Sequence, residues 1–393
     1  MEFSQIQSTL RESGLDGWLF YDHHRRDPIA YRILKINPPM CTRRWYYLIP
    51  AEGEPAKLIH RVERGNLAGL PGAEIQYSSW EEQHEGLKKI LEGKNRIAMQ
   101  YSPLNDIPYV GLVDAGTIEM VKSFGVEVVS SADLVQLFEA RWSEDALASH
   151  LAAGKVVHAA VRAGFGAIRD AVRSGNGITE YDVHQAMLRV FEGGGVVTDE
   201  GPVAAVNRNT ANPHYMPTRD RSLPMGVNDF VLLDVWGKMN RPGSVYFDIT
   251  WTGFVGVEVP RRYAEVFETV REARDAAVDF VQAAMKSGRT IHGYEVDDAA
   301  RGIINRRGYE QCFVHRTGHS IGEDVHANGA NIDNFETRDT RQIISRTCFS
   351  IEPGIYLAEF GVRSEVNVFV EESSARVTGE IQQAIVPILA AAY

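Results

Sequence analysis

Asp234, Asp248, His319, Glu352 and Glu365 are the residues of this chain whose types and surroundings could do chemistry. They lie in LLDVWG (232–237), YFDITWT (246–252), HRTGHSIG (315–322), IEPGIY (351–356) and VRSE (362–365). Four carboxylates and one imidazole form a donor set suited to two divalent cations. Carboxylate oxygens favour hard ions, and one imidazole moves the preference toward first-row metals such as Mn, Co, Fe or Zn. Two such ions about 3.5–4 Å apart can activate one water for hydrolysis. An Asp is ordinarily a turn or cap residue, and a Glu a solvated surface charge. Here Asp234 follows the apolar run Phe230–Leu233, Asp248 sits between Phe247 and Ile249, and Glu352 follows Phe349, Ser350 and Ile351. Acids inside β-like apolar segments are costly to bury unless something positive pairs with them. One alone would be read as an ion pair or a strand end. All five together read as metal ligands.

An internal repeat must position them. The stretch from Ala171 to Gly195 aligns without gaps on Ala284 to Gly308, an offset of 113 residues. Ser174-Gly175 matches Ser287-Gly288, Ile178 matches Ile291, Tyr181 matches Tyr294, Ala186 matches Ala299, and Gly195 matches Gly308. Each copy reads as a long helix, a Ser-Gly break, a second helix, a Gly turn, a His-containing segment and two strands. Two copies indicate a pseudo-twofold domain rather than a solenoid. The acids follow the repeat: Asp234 to Glu352 is 118 residues and Asp248 to Glu365 is 117. Each half therefore offers a hairpin with one acid per strand, and facing strand positions lie about 4.5–5.5 Å apart, within reach of one metal. His214 and His326 are related in the same way, 112 residues apart.

The order Asp, Asp, His, Glu, Glu, with GHSIG around His319 and EPG at Glu352, resembles the creatinase/prolidase/methionine-aminopeptidase superfamily, the M24 metallopeptidases. The resemblance covers roughly residues 145–393, and the five motifs together are highly specific. It implies a C-terminal pita-bread domain with pseudo-twofold symmetry. The smaller α/β domain before it is similar to that of the prolidase and aminopeptidase P branch. The expected domains are 1–138 and 139–393.

The resemblance also implies roles. Asp234 would chelate one metal, Asp248 and Glu365 would bridge both, and His319 and Glu352 would complete the set. Glu352 would also shuttle a proton from the water to the leaving amine. His214, in NPHYMPT, would touch substrate, and His326, in DVHANG, would stabilise the gem-diolate. His315 would lie near the leaving-group pocket, and Arg363 would pair with ligand carboxylates; both are expected to bind substrate, where they could hold the carboxylate of a dipeptide. Two divalent ions per subunit are expected, Mn first, with Co or Zn as alternatives. The implied activity is cleavage of the Xaa-Pro bond of dipeptides through a metal-bridging hydroxide. The alternatives are an Xaa-Pro aminopeptidase acting on longer peptides, and a metal-dependent lyase or amidohydrolase on the same fold. Three details depart from the family's usual pattern: the 14-residue spacing of Asp234 and Asp248, Ala327-Asn328 after His326, and Ser364-Glu365-Val366 around the last ligand.

General chemistry supports these roles. Water near two cations loses a proton close to neutral pH. An oxyanion can be stabilised by an imidazole, and a carboxylic acid can protonate the departing amine. Thr250 and Thr252 read equally as donors to the ligand carboxylates and as residues of high β-propensity.

The remainder of the chain fits a globular enzyme. It has 393 residues, 44% of them hydrophobic, and a net charge of −11. The acidic balance argues against bulk nucleic-acid binding. No run approaches ~18 uninterrupted apolar residues, so no membrane span is expected. MEFSQIQSTLRESG carries no apolar signal core, and three cysteines at unrelated spacings fit a reducing cytoplasm. Cys312 and Cys348 read as buried core residues. The partner expectations are a small peptide substrate, no nucleic acid, no membrane and a homodimer. Near the N-terminus, 17–21, 44–49, 56–59 and 96–99 read as strands, and 3–13, 81–91 and 114–124 as helices. Ser143 reads as the N-cap of a helix over 146–172. DHHRRDPIAYR (22–32) reads as a solvated loop, although in the family this region approaches the partner's active site.

Overall fold

A computed structural model describes residues 3–390. The chain forms two compact units that divide between Glu139 and Ala140. The first is built on α1 (Phe3–Glu12), β1 (Gly17–Asp22), α2 (Pro28–Leu34), β2 (Trp45–Pro50), β3 (Ala56–His60), β4 (Ala73–Tyr77), α3 (Trp80–Ile90), β5 (Arg96–Met99), α4 (Ala115–Ser123), β6 (Glu127–Ser130) and α5 (Ala132–Val135). Its strands form one sheet in the order β4-β3-β2-β1-β5-β6. All six residues of β1 are buried, because helices cover both faces of the sheet. Side chains alternate across a strand. Trp18 and Phe20 accordingly pack with Ile6, Leu10, Ile29 and Ile33 on one face. Leu19 and Tyr21 pack with Leu87, Ile90, Ile118 and Val121 on the other.

The segment 22–32 is only partly the solvated loop expected from its sequence. His24, Arg25 and Arg26 are exposed, but Pro28 opens α2 and Asp27 caps it, accepting a hydrogen bond from the Ala30 N–H at 2.9 Å. An Asp-Pro pair at a helix start fills the N-cap and first-turn positions, where the missing proline N–H costs nothing. The loop before it closes on the buried Asp22 carboxylate, which accepts from the N–H groups of Arg25, Arg26 and Asp27 and from the Tyr31 hydroxyl.

The second unit holds α6 (Glu144–Ser174), α7 (Glu180–Gly194), β7 (Val196–Val197), β8 (Val203–Val206), β9 (Phe230–Met239), β10 (Phe247–Phe254), α8 (Arg261–Ser287) and α9 (Gly293–Arg306). It continues with β11 (Ser320–Ile321), β12 (Cys348–Ile351), β13 (Gly354–Tyr356), β14 (Gly361–Arg363), β15 (Val366–Val370), β16 (Ala375–Thr378) and β17 (Val386–Pro387). One sheet runs β17-β10-β9-β7, with β8 also on β9; a second runs β11-β12-β15-β16, and β13 pairs with β14.

The sequence repeat is visible element by element. α6 and α8 both end at a glycine in the left-handed region, Gly175 at φ 72° and Gly288 at φ 69°, a conformation other residues adopt at a cost. Thr179 and His292 then take the N-cap positions of α7 and α9. Each cap N–H donates to an acid three residues on, Asp182 or Glu295, at 2.9 Å. Thr179 bridges to Pro224 and His292 to Gln342, so each helix start is laced to its own half's loop. Of the cysteines, Cys348 is buried as expected, but Cys312 is only partly so.

Candidate metal centre

β9 and β10 pair antiparallel, with Asp234 opposite Thr250 and Trp236 opposite Asp248. The two acids are therefore diagonal on one face, not facing each other as the hairpin reading expected. The hydroxyl of Thr250 fills the facing place. In the other half the register of β12 with β15 continues unchanged through β13 with β14. That register places Glu352 opposite Glu365, in the interruption between the two ladders. Pro353, which has no N–H to give, lies in that gap. So Glu352 and Glu365 do face one another, though each sits at a break between strands rather than within one.

The two halves are stitched at the acids. The Asn367 side chain donates to Asp248 O at 2.5 Å and accepts from Asp248 N–H at 3.2 Å. Glu365 N–H donates to Thr250 O at 3.3 Å. His319 is fixed by exchange with Ser350: Ser350 N–H donates to His319 O, and His319 N–H donates to Ser350 Oγ, both at 2.9 Å. That Oγ donates in turn to Glu352 Oε1 at 3.0 Å.

These contacts bring all five sequence-predicted ligands together. One donor atom from each of Asp248, His319 and Glu365 lies within 4.8 Å of the others. His319 Nε2 is 3.6 Å from Asp248 Oδ2 and 3.4 Å from Glu352 Oε1. Thr250 Oγ1 links Asp234 Oδ1 at 3.1 Å to Glu365 Oε2 at 2.9 Å. His319 Nδ1 lies 3.1 Å from Ser320 O, so it carries the proton and leaves Nε2 as a free electron pair facing the carboxylates. Thr252 instead bonds Gln382, which leaves it with β-structure rather than with the ligands.

The electrostatics are those of a crowded anionic site. Burial pushes Asp234 up to about 7, with Asp248 and Glu352 adding to the rise against the opposing pull of Arg363. Burial and Glu352 push Asp248 well above the carboxylate range, and burial and Asp248 do the same to Glu365. Glu352 goes the other way: burial would raise it, but His319, Arg363 and His315 hold it low. Burial also depresses His319. Asp248 Oδ1 and Glu365 Oε1 are buried with no hydrogen-bond partner. An orphaned carboxylate oxygen is costly, and two of them beside a lone imidazole pair suit a divalent cation. The residues present fit a metal centre.

The other predicted residues surround it. The ring of His326 meets His319 edge-on, centroids 4.3 Å apart, and the repulsion that would follow if both rings were protonated, together with burial, holds it below the ordinary imidazole range. The exposed His214 is close enough to act on the charge of His326. His315 Nε2 lies 2.7 Å from the Tyr356 hydroxyl and its Nδ1 2.6 Å from Arg316 O. Arg363 is buried. Its guanidinium donates to Asp234, to Thr250 Oγ1 at 2.9 Å and to Tyr356 at 3.2 Å, and lies 3.7 Å from Glu352. It is thus engaged with the side chains of Asp234 and Thr250. Tyr356, Ser350 and Asn367 were not singled out in the sequence. Their signal was periodicity: Tyr356 is four residues after Glu352, and Asn367 two after Glu365.

Residues 148–372 match the family model of metallopeptidase family M24. The chain belongs to that family. It is 34% identical to an Xaa-Pro dipeptidase of Lactobacillus delbrueckii subsp. lactis over 242 residues, 59% of this chain and 56% of that protein. It is 34% identical to an Xaa-Pro dipeptidase of Lactobacillus helveticus over 218 residues, 54% of this chain and 52% of that protein. The chain thus spans about half the length of these curated relatives. Among solved structures, the dipeptidase PepE from Mycobacterium ulcerans superposes with a TM-score of 0.73 at 22% identity, covering 98% of this chain and 96% of that one. A likeness at that identity establishes the pita-bread fold. Within this M24 chain, the matched segment contains all five candidate ligands together with His214, His315, His326 and Arg363.

Proposed function

We propose that this chain is a dinuclear-metal Xaa-Pro dipeptidase. The observation that carries the reading is the convergence of Asp234, Asp248, His319, Glu352 and Glu365, with orphaned oxygens on Asp248 and Glu365. The names of the Lactobacillus relatives supply the substrate class. Two divalent ions, Mn first, would be held by these five side chains. When bound, they would supply Lewis-acid charge and an acidic water.

The chain's own residues divide the remaining work. Glu352 stays ionised beside His319 and Arg363, so it takes the proton of the attacking water and returns it to the leaving amine. His326, neutral against His319, donates to the oxyanion. His214 contacts substrate from the opposite half. Arg363 holds Asp234 in its ligating orientation, and Thr250 does the same for Asp234 and Glu365.

One observation favours cleavage of longer peptides by an aminopeptidase. The two groups expected to hold a dipeptide's carboxylate, His315 and Arg363, are both engaged by protein partners. The test is kcat/KM of the Mn-loaded protein on Xaa-Pro dipeptides, Xaa-Pro-Xaa tripeptides and non-proline controls. Dipeptides are expected to lead, and amidating the dipeptide C-terminus should cost at least ~10-fold, about 1.4 kcal/mol. Equal or faster cleavage of tripeptides moves the assignment to an Xaa-Pro aminopeptidase. No cleavage of any Xaa-Pro bond would leave a metal-dependent lyase or amidohydrolase.

A further inference from the structure

Glu180, the first residue of α7, is fully buried. Its carboxylate accepts hydrogen bonds from Val206 N–H at 2.8 Å, Leu223 N–H at 2.7 Å, Asn209 Nδ2 at 2.9 and 3.1 Å, and the Tyr215 hydroxyl. Its own N–H donates to Leu223 O at 3.0 Å. All of these carboxylate donors are neutral. A buried carboxylate without a cation is expensive, and a neutral side chain would fill the same space at lower cost. What only a carboxylate offers is acceptor capacity on both oxygens with no hydrogen of its own. Here that capacity is spent on one segment. Val206 and Asn209 start it, Leu223 ends it, and Tyr215 is the neighbour of His214.

The second half has a counterpart. The repeat places Gly293 where Glu180 stands, and a Cβ there would sit 1.9 Å from Asn331 O. The anchoring carboxylate is instead one turn further along α9, at the fully buried Asp297. It accepts from Thr317 N–H at 3.0 Å, Thr317 Oγ1, Asn334 N–H at 3.1 Å and the Arg301 guanidinium. Thr317 lies between His315 and His319. In each half, a buried acid on the second helix holds the loop that carries the site's histidines.

We propose that Glu180 is the positioning residue of His214: by closing residues 206–223 onto α7 it holds that imidazole toward the metal centre and His326. The inference rests on the metallopeptidase reading. A misplacement of about 1 Å in such a group costs up to the order of 10²-fold in rate.

The experiment is a double-mutant cycle on the Mn-loaded full chain with Glu180→Gln and His214→Ala, alongside amide hydrogen exchange and metal content. Gln keeps the size but turns an NH₂ toward the donors. We expect Glu180→Gln to lower kcat/KM on the order of 10- to 100-fold with metal content unchanged. In the His214→Ala background it should cost almost nothing more, and exchange should accelerate within 206–223 alone. Tyr215→Phe removes one of the clamp's donors without touching the buried acid, and it should show the same pattern more weakly if Glu180→Gln does not fold. Equal losses in both backgrounds, a silent His214→Ala in an active enzyme, or unchanged exchange over 206–223 would each overturn the inference. Wild-type protein inactive on every Xaa-Pro peptide would refute the proposed function instead. The exchange result would still decide whether Glu180 holds the loop.

Discussion

Glu352 differs from the other three carboxylates in what surrounds it. Burial and neighbouring carboxylates raise Asp248 and Glu365, whereas His319, Arg363 and His315 hold Glu352 low. That placement supports the proposed role of proton carrier. Glu352→Gln should therefore reduce turnover by at least the order of 10²-fold. His326→Ala should lose a similar factor, the usual scale for a transition-state donor, while elemental analysis finds its metal content unchanged. A fully active His326→Ala would remove that residue from the chemistry. The candidate ligands were legible in the sequence because acids embedded in apolar runs are anomalous by type alone. The choice between the two readings of Thr250 and the pairings of Tyr356 and Arg363 were not, since they depend on which side chains oppose across two hairpins. Arg363 shows the difference: its place beside Glu365 in the chain does not announce that the fold lays it on Asp234.

Elements carry the repeat, and the repeat was readable because helix breaks and caps are local. Ser174-Gly175 and Ser287-Gly288 need only a left-handed glycine, which residue type announces. Register was not readable, because a hairpin tip of unknown geometry fixes it. One close approach depends on that register. A Cβ on Gly318 would lie 1.9 Å from Ser350 O, on the strand that pairs with His319. Gly318→Ala should destabilise the protein by about 1–3 kcal/mol and lower its metal affinity. Gly193→Ala, with nothing within 4 Å, serves as the control; equal effects from both would disprove the argument. α6 makes a second prediction. Its buried His150 lies 2.6 Å from Tyr246 O and 2.7 Å from Thr378 Oγ1, and burial depresses it to about 4. A depressed imidazole contributes stability that is complete above the ordinary value of 6.5 and is lost as pH falls toward about 4. The contribution is about 3 kcal/mol. Urea unfolding between pH 7 and 4 should show a shallower pH dependence in His150→Asn than in wild type. Identical slopes would mean that His150 is not the titrating group.

At the scale of the molecule, composition constrained less than motif. By length and composition α6 is apolar enough to cross a membrane, although no uninterrupted run of that length exists in the sequence. Half of its apolar window is buried in the unit, where Phe165 and Val161 pack with Leu233 and Ile249. The long helix is the spine of the first half-repeat. The net charge of −11 is spread over the chain, but the charge that matters for stability is concentrated between the halves of the second unit. There four carboxylates meet one imidazole and Arg363, and burial with mutual repulsion still raises Asp234, Asp248 and Glu365. Divalent ions are therefore expected to hold the two halves together as well as to serve the reaction. A ligand at about 100 times its dissociation constant adds about 2.7 kcal/mol to folding, and for a unit of this size that raises the melting temperature by roughly 5–10 °C. Exhaustive chelation should lower the melting temperature by that amount and abolish activity, and Mn²⁺ should restore both. Na⁺ at equal ionic strength should restore neither, because the attraction is to a bound ion and not a screening effect. Coincident melting curves for chelated and Mn-loaded protein would show that the four carboxylates are compensated without metal.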